Sequence, residues 1–387
     1  MAALGGVALL AVPRAFADAP PEMDPDSIVR VTGAWRSRVF LVVADAGPCR
    51  AGVDKVLQDP SKLYRKRHVG CAVYVGARRL LTTACVVGRG EEVEVFTDKG
   101  EHMLARVVGK DPYLDVALLE TVDDLPGVVG SPPPIDGEEP RAGVPCLVLG
   151  NANGGTLSAS LGRMGGMIVI EPGGLPVRAH RVLAQIYPGD AGGPVLDEQG
   201  NFVGLLTGVS TPSRPPLKDE FGEIDLPGNR GEPAGEVGFA VPARECARAW
   251  EDLGKFGYVK RGFLGIEIGT NAEDQGGVRI LDVLKGGPAQ RSGIVPGDVI
   301  TTFADRFVSS GRELCALVAS EAPQRTVSVH VLRAGHERVL SVELGLAREL
   351  PGRKRLQRLE PGAIEAPGSS ALPGEVLPVD GQTTPQR

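Results

Sequence analysis

The run Gly189-Asp190-Ala191-Gly192-Gly193-Pro194 sets three glycines, a carboxylate and a proline around one small side chain. Glycine reaches backbone angles closed to other residues and proline fixes one of them, so the run spells a tight turn. Its central residue, Ala191, carries only a methyl group, which cannot attack a carbonyl. Two other positions offer chemistry. One is the thiol of Cys85, within Leu81-Thr82-Thr83-Ala84-Cys85-Val86-Val87. The other is the carboxylate of Asp115, within Asp111-Pro112-Tyr113-Leu114-Asp115-Val116-Ala117-Leu118-Leu119. A reactive thiolate needs a cationic or imidazole partner. His68 and His102 are nearest by sequence, and neither stands in a recognisable Cys-His arrangement. Cys85 therefore reads as a small buried hydrophobe, as half of a disulfide, or as a nucleophile. The six cysteines (Cys49, Cys71, Cys85, Cys146, Cys246, Cys315) lie far apart with no CxxC pair, so no metal cage and no cofactor are expected.

The elements that must position these residues are short strands. Runs such as Val39 to Val43, Cys71-Ala72-Val73-Tyr74-Val75, Val93-Glu94-Val95-Phe96, Leu147-Val148-Leu149 and Val182 to Ile186 recur between glycines, prolines and polar turns. With 53 glycines, 32 prolines and few aromatics in 387 residues, the pattern predicts a mostly β protein of two or more domains. The basic segment ending Tyr64-Arg65-Lys66-Arg67-His68 reads as a solvated loop or helix face, and Thr211 to Glu236 as a long loop. Residues 242–256 place Cys246, Ala249, Trp250 and Leu253 at helical spacing, the core stripe of one helix. A short apolar run closing with Ala15-Phe16-Ala17 predicts a signal peptide over 1–17 and an exported, periplasmic or extracellular protein. Residues 347–387 have almost no large apolar groups and predict a disordered tail. A net charge of -6 without a basic stripe argues against nucleic acid, and no integral membrane segment is predicted.

Taken in order, three segments resemble the HtrA/Deg branch of trypsin-like serine proteases. Leu81 to Val87 is similar to L-T-x-x-H-V-V, Asp111 to Leu119 to D-x-x-x-D-[IV]-A-[VL]-L, and Pro188 to Val195 to P-G-N-S-G-G-P-L. Gly238-Phe239-Ala240-Val241-Pro242 is similar to the family's G-F-A-I-P. The resemblance implies a chymotrypsin-like double β-barrel over 28–250. It sets Cys85 at the general-base position, Asp115 at the orienting position and Ala191 at the nucleophile: a degenerate triad. The backbone of Gly189, Asp190 and Ala191 would form the oxyanion hole. Losing a key triad member costs roughly 10⁶ in turnover, about 8 kcal/mol of barrier. Cys71 would lie on the preceding strand of the expected hairpin, so a Cys71–Cys85 bridge fits an exported protein.

Further on, Arg261-Gly262-Phe263-Leu264-Gly265-Ile266 and Gly286 to Ile300 resemble a PDZ domain, over 259–346. The resemblance implies binding of peptides, or of unfolded proteins, with free C-termini. The terminal carboxylate would sit in a nest at Phe263, Leu264 and Gly265, which Gly262 leads into, and the strand Ile266 to Ile268 would pair with the peptide. Phe263 and Leu264 would line the pocket for the terminal side chain. The leading expectation is thus a catalytically inactive protease homologue that binds peptides, with homotrimer formation implied by the family. Two alternatives stand beside it: an active endopeptidase of protein quality control with an atypical site, and a structural or assembly protein.

Overall fold

The computed structural model describes residues 23–45, 67–128, 139–151, 157–209, 217–219, 222–224, 235–269 and 276–347. The expected signal peptide lies outside the described residues, as does the expected tail apart from its first residue.

Short strands rich in apolar residues close two six-stranded antiparallel barrels. The first holds β1 (Val39–Asp45), β2 (Arg67–Gly76), β3 (Arg79–Thr82), β4 (Glu92–Phe96), β5 (His102–Asp111) and β6 (Val116–Thr121), in the order β1-β2-β3-β6-β5-β4. The second holds β7 (Pro145–Gly150), β8 (Ser158–Ile170), β9 (Val177–Ile186), β10 (Pro194–Leu196), β11 (Phe202–Val209) and β14 (Gly235–Pro242), in the order β10-β11-β14-β9-β8-β7. Between β11 and β14 the expected long loop carries a hairpin, β12 (Leu217–Asp219) with β13 (Gly222–Ile224). The basic run also departs from expectation at its end: Arg67 and His68 open β2, paired to Asp45 and Ala44. Ladder pairing with β1 satisfies their backbone groups, which composition alone does not foretell.

Helix α1 (Pro25–Trp35) starts at Asp24, whose carboxylate accepts from the Asp26 and Ser27 N–H groups. It buries Trp35 against Phe202 of the second barrel. The short helix α2 (Ala84–Val87) follows β3, and α3 (Ala243–Phe256) follows β14. Cys246, Ala249 and Leu253 of α3 are buried in a cluster with Leu81 and Leu118 of one barrel and Leu147 and Leu205 of the other. One helix thereby ties the two barrels together, each buried leucine contributing about 2 kcal/mol.

The PDZ unit follows. Strand β15 (Gly262–Phe263) pairs with β22 (Gly345–Leu346), and β16 (Ile266–Ile268) is the outer strand of a sheet running β16-β17-β18-β20-β21. The other members are β17 (Val278–Val283), β18 (Val299–Phe303), β20 (Thr326–Arg333) and β21 (His336–Glu343), with β19 (Arg306–Phe307) pairing β18. Helices α4 (Pro288–Arg291) and α5 (Gly311–Ser320) complete it. The unit is fastened to the first barrel by Arg261, whose guanidinium donates to both Asp111 oxygens at 2.7 and 2.8 Å. Both side chains are buried. Removing one partner of such a pair leaves an uncompensated charge and costs about 3–5 kcal/mol.

Candidate functional site

Cys85, Asp115 and Ala191 converge on the seam between the barrels. Asp115 ends the turn that follows β5. Asp111 shapes that turn by accepting from the Tyr113 and Leu114 N–H groups at 3.1 and 2.8 Å. Asp115 itself has φ +55°, a conformation that Asp tolerates better than most side chains. Its Oδ1 accepts from the Cys85 N–H at 2.8 Å, and its Oδ2 accepts from the Thr207 hydroxyl. Thr83, at the N-cap of α2, makes no side-chain cap bond, so the Asp115 carboxylate serves the open helix end instead. Both oxygens thus hold structural donors. Burial raises the Asp115 pKa above the usual carboxylate value, and the Thr207 and Cys85 donors oppose that rise.

The Cys85 thiol lies 3.2 Å from the Thr83 hydroxyl. Desolvation, and then the neighbouring Asp115 carboxylate, push its pKa up to about 12, although the residue keeps an exposed face. That direction is opposite to what a thiolate nucleophile requires. Cys71 and Cys85 are both free thiols, so the expected bridge is absent. The buried Cys71 thiol instead donates to the Gly189 carbonyl at 3.2 Å.

Ala191 follows a 3₁₀ turn, Pro188–Asp190, and its methyl packs against the first barrel's cluster that contains Val86 and Val87. The turn is held from both sides. The Ala191 carbonyl accepts from the Cys71 N–H at 2.7 Å, and the Gly192 N–H donates to Leu206 at 2.7 Å. Asp190 is buried, accepts from the Tyr187 N–H at 2.8 Å, and has its pKa raised to about 6 by desolvation. The Asp190 N–H donates to the Tyr187 carbonyl at 3.0 Å. It is committed to the turn, which removes it from the three backbone groups expected to line an oxyanion hole.

In the PDZ unit Gly262, Phe263, Leu264 and Gly265 lead into β16, and Gly265 has φ +78°. The Gly265 carbonyl accepts from the Leu284 N–H at 2.9 Å and the Leu264 carbonyl from the Ala289 N–H at 3.0 Å. The N–H groups of Leu264 and Gly265 have no hydrogen-bond partner among the described residues. Ile266 and Ile268 are half-buried on a strand whose outer edge is unpaired. Facing them stands α5, so close that a methyl group on Gly311 would lie 2.6 Å from Ile268 Cδ1. Phe263 is half-buried, whereas Leu264 sits in the hydrophobic core of the unit. Leu264 therefore does more for the unit's core than the expected pocket role requires.

The profile of the trypsin-like peptidase domain matches residues 70–205, and that of the PDZ domain matches 262–344. A probable periplasmic serine endoprotease, DegP-like, of Rhizobium meliloti is 29% identical over 69% of this chain and 51% of its own length. The periplasmic pH-dependent serine endoprotease DegQ of Escherichia coli is 26% identical over 81% of this chain and 67% of its own. The chain belongs to the HtrA/Deg family. Among solved structures of that family, the HtrA-type protease AlgW with a tripeptide is 26% identical and superposes with a TM-score of 0.55. That match covers 84% of this chain and 98% of the other. The chain spans about half to two thirds of the length of the curated HtrA/Deg relatives it matches.

Sequence reasoning found the three seam positions of this HtrA/Deg chain but missed Thr207 and Arg261. Thr207 left one signal, a hydroxyl directly after the apolar run Phe202 to Leu206. Arg261 left none, since its partner Asp111 is 150 residues away.

Proposed function

We propose that this HtrA/Deg protein is catalytically inactive and acts by binding extended peptides with free C-termini through its PDZ unit. The observation that carries the first half is the pair of replacements, Cys85 and Ala191, at the base and nucleophile positions. Proton transfer needs an imidazole and attack needs a hydroxyl, and neither group stands there. Asp115 accepts from the Cys85 N–H and Thr207, and the residue at 85 gives it no imidazole to orient. In a 3₁₀ turn each N–H looks back to the carbonyl three residues earlier. In the Pro188–Asp190 turn the Asp190 N–H is held in this way on the Tyr187 carbonyl at 3.0 Å and is not offered to a substrate oxyanion.

The unpaired outer edge of β16 and the free N–H groups of Leu264 and Gly265 support peptide binding by strand addition. The similar HtrA-type protease AlgW was solved with a tripeptide, which supports peptide binding as such. Gly262, Phe263, Leu264, Gly265, Ile266 and Ile268 are the residues we assign to it. Placement in the periplasm rests on the names of the relatives, and no described helix is long and apolar enough to cross a membrane.

The test is a casein turnover assay on the native chain, run beside the Cys85→His/Ala191→Ser double variant. Turnover by the native chain stays at background. Native turnover lost on thiol alkylation would make Cys85 a nucleophile and overturn the reading. A C-terminal peptide library titrated in parallel binds at roughly micromolar strength, about -8 kcal/mol. Equal binding of amidated peptides would refute the carboxylate nest.

A further inference from the structure

Between the second barrel and the PDZ unit lies a cavity of about 150 Å³ that neither the seam residues nor the peptide groove uses. Arg178 of β9, Arg244 and Arg248 of α3, Arg306 of β19 and Arg325 all line it. Three carboxylates share the space and are already engaged. Glu139 accepts from Arg178 at 3.2 Å and from Arg306 at 2.8 Å. Glu245 faces Arg248 at 3.2 Å, and Glu321 pairs with Arg325. Five guanidinium groups against three carboxylates leave two positive charges in surplus.

The donors also outnumber their partners. Arg248 Nε and Arg306 Nη1 are buried with no hydrogen-bond partner among the described residues. Both atoms are out of reach of a water-sized group, so an occupant of the cavity would meet the other guanidinium nitrogens that line it. A single water occupies about 30 Å³ in the liquid, so this space admits a group of several heavy atoms. Guanidinium forks match the spaced oxygens of a phosphate or carboxylate. Burial pushes the Glu245 carboxyl above the usual carboxylate value, against the opposing effect of Arg248.

We propose that this seam is a binding site for a doubly charged tetrahedral oxyanion of the phosphate class, free or as a monoester. Its occupant would fasten the PDZ unit to the second barrel. Arg248, on the barrel side, already donates to the carbonyls of Ala319 and Ser320 at the end of α5. Arg306 belongs to the PDZ unit and reaches back to Glu139. An anion held between Arg244 of α3 and Arg306 would bridge both bodies.

The full chain, melted in increasing sodium phosphate at ionic strength held constant with sodium chloride, tests this. A saturable rise of about 3 °C at ten times the dissociation constant is expected. The Arg244→Ala/Arg306→Ala variant should lose that rise. No rise in the native chain, or an equal rise in the variant, would overturn the proposal. Should the variant not fold, the ³¹P linewidth of phosphate over the native chain decides, and an unbroadened line refutes the site. Glycerol 3-phosphate run in parallel names the source: a larger rise than with inorganic phosphate assigns a monoester, a smaller one the free ion.

Discussion

The turn at Ala191 and the loop before β16 are both glycine-rich, yet their glycines answer to different demands. At Ala191 the constraint is backbone meeting backbone. A methyl group on Gly192, which has φ +85°, would lie 2.0 Å from the Cys71 carbonyl oxygen, and one on Gly193 would lie 2.0 Å from that of Leu149. In the loop before β16, a methyl group on Gly262 would meet the Val318 carbonyl oxygen at 2.6 Å, but one on Gly265 would first meet a carbon of the Phe263 ring at 3.3 Å, and one on Gly286, in the turn before α4, would meet nothing within 4 Å. The first turn is clamped between two barrels, while the second leaves N–H groups open. The packing of the barrels therefore needs the glycines of this turn whichever residue stands at position 191.

The sharpest way to break that comparison is a matched pair of alanine substitutions. Gly192→Ala should cost more than about 3 kcal/mol, since it combines a positive φ with a backbone clash. Gly286→Ala should cost only about 1 kcal/mol, the strain of the left-handed conformation alone. Urea unfolding midpoints of the two variants check this, and equal losses would mean that the Ala191 turn is not clamped.

A smaller effect addresses Asp115. If its work is structural, Asp115→Ala should destabilise by about 1–3 kcal/mol, because the Cys85 N–H and the Thr207 hydroxyl lose their acceptor. Asp115→Asn should cost less, since the amide oxygen still accepts from one of them and Asn tolerates the positive φ. A neutral Asp115→Ala would leave the residue a relic without a role.

The smallest effect is read in the pH dependence of stability. Burial raises the Asp190 pKa in the folded chain to about 6, from 3.8 in the unfolded one. As pH rises past 3.8 the unfolded chain ionises first, so the stability present below that value is lost progressively until the pH passes about 6. Asp190→Asn should flatten the fall in unfolding midpoint between pH 4 and 6. An unchanged slope would assign it to other groups, Asp115 among them.

Much of this was legible in the chain itself, for a physical reason that particular residues illustrate. The short apolar run Leu147-Val148-Leu149 and the helical spacing of Cys246, Ala249 and Leu253 are local, so strand and helix followed from neighbours in sequence. The glycines of the Ala191 turn and the absence of imidazole and hydroxyl at 85 and 191 are also facts of residue type, as is the likeness of residues 286–300 to a PDZ domain. Of the alternatives for Cys85, the bridge to Cys71 is not formed, because hairpin proximity does not say where two thiols point, and the Cys71 thiol meets the Gly189 carbonyl instead.

What tertiary structure alone decided are the pairings across long separations. Thr207 meets Asp115 across 92 residues, Arg261 meets Asp111 across 150, and Arg306 meets Glu139 across 167. Residue type says that a buried carboxylate or guanidinium must find a partner. Which partner it finds depends on how the two barrels and the PDZ unit close on one another, and no local period in the sequence encodes that closure.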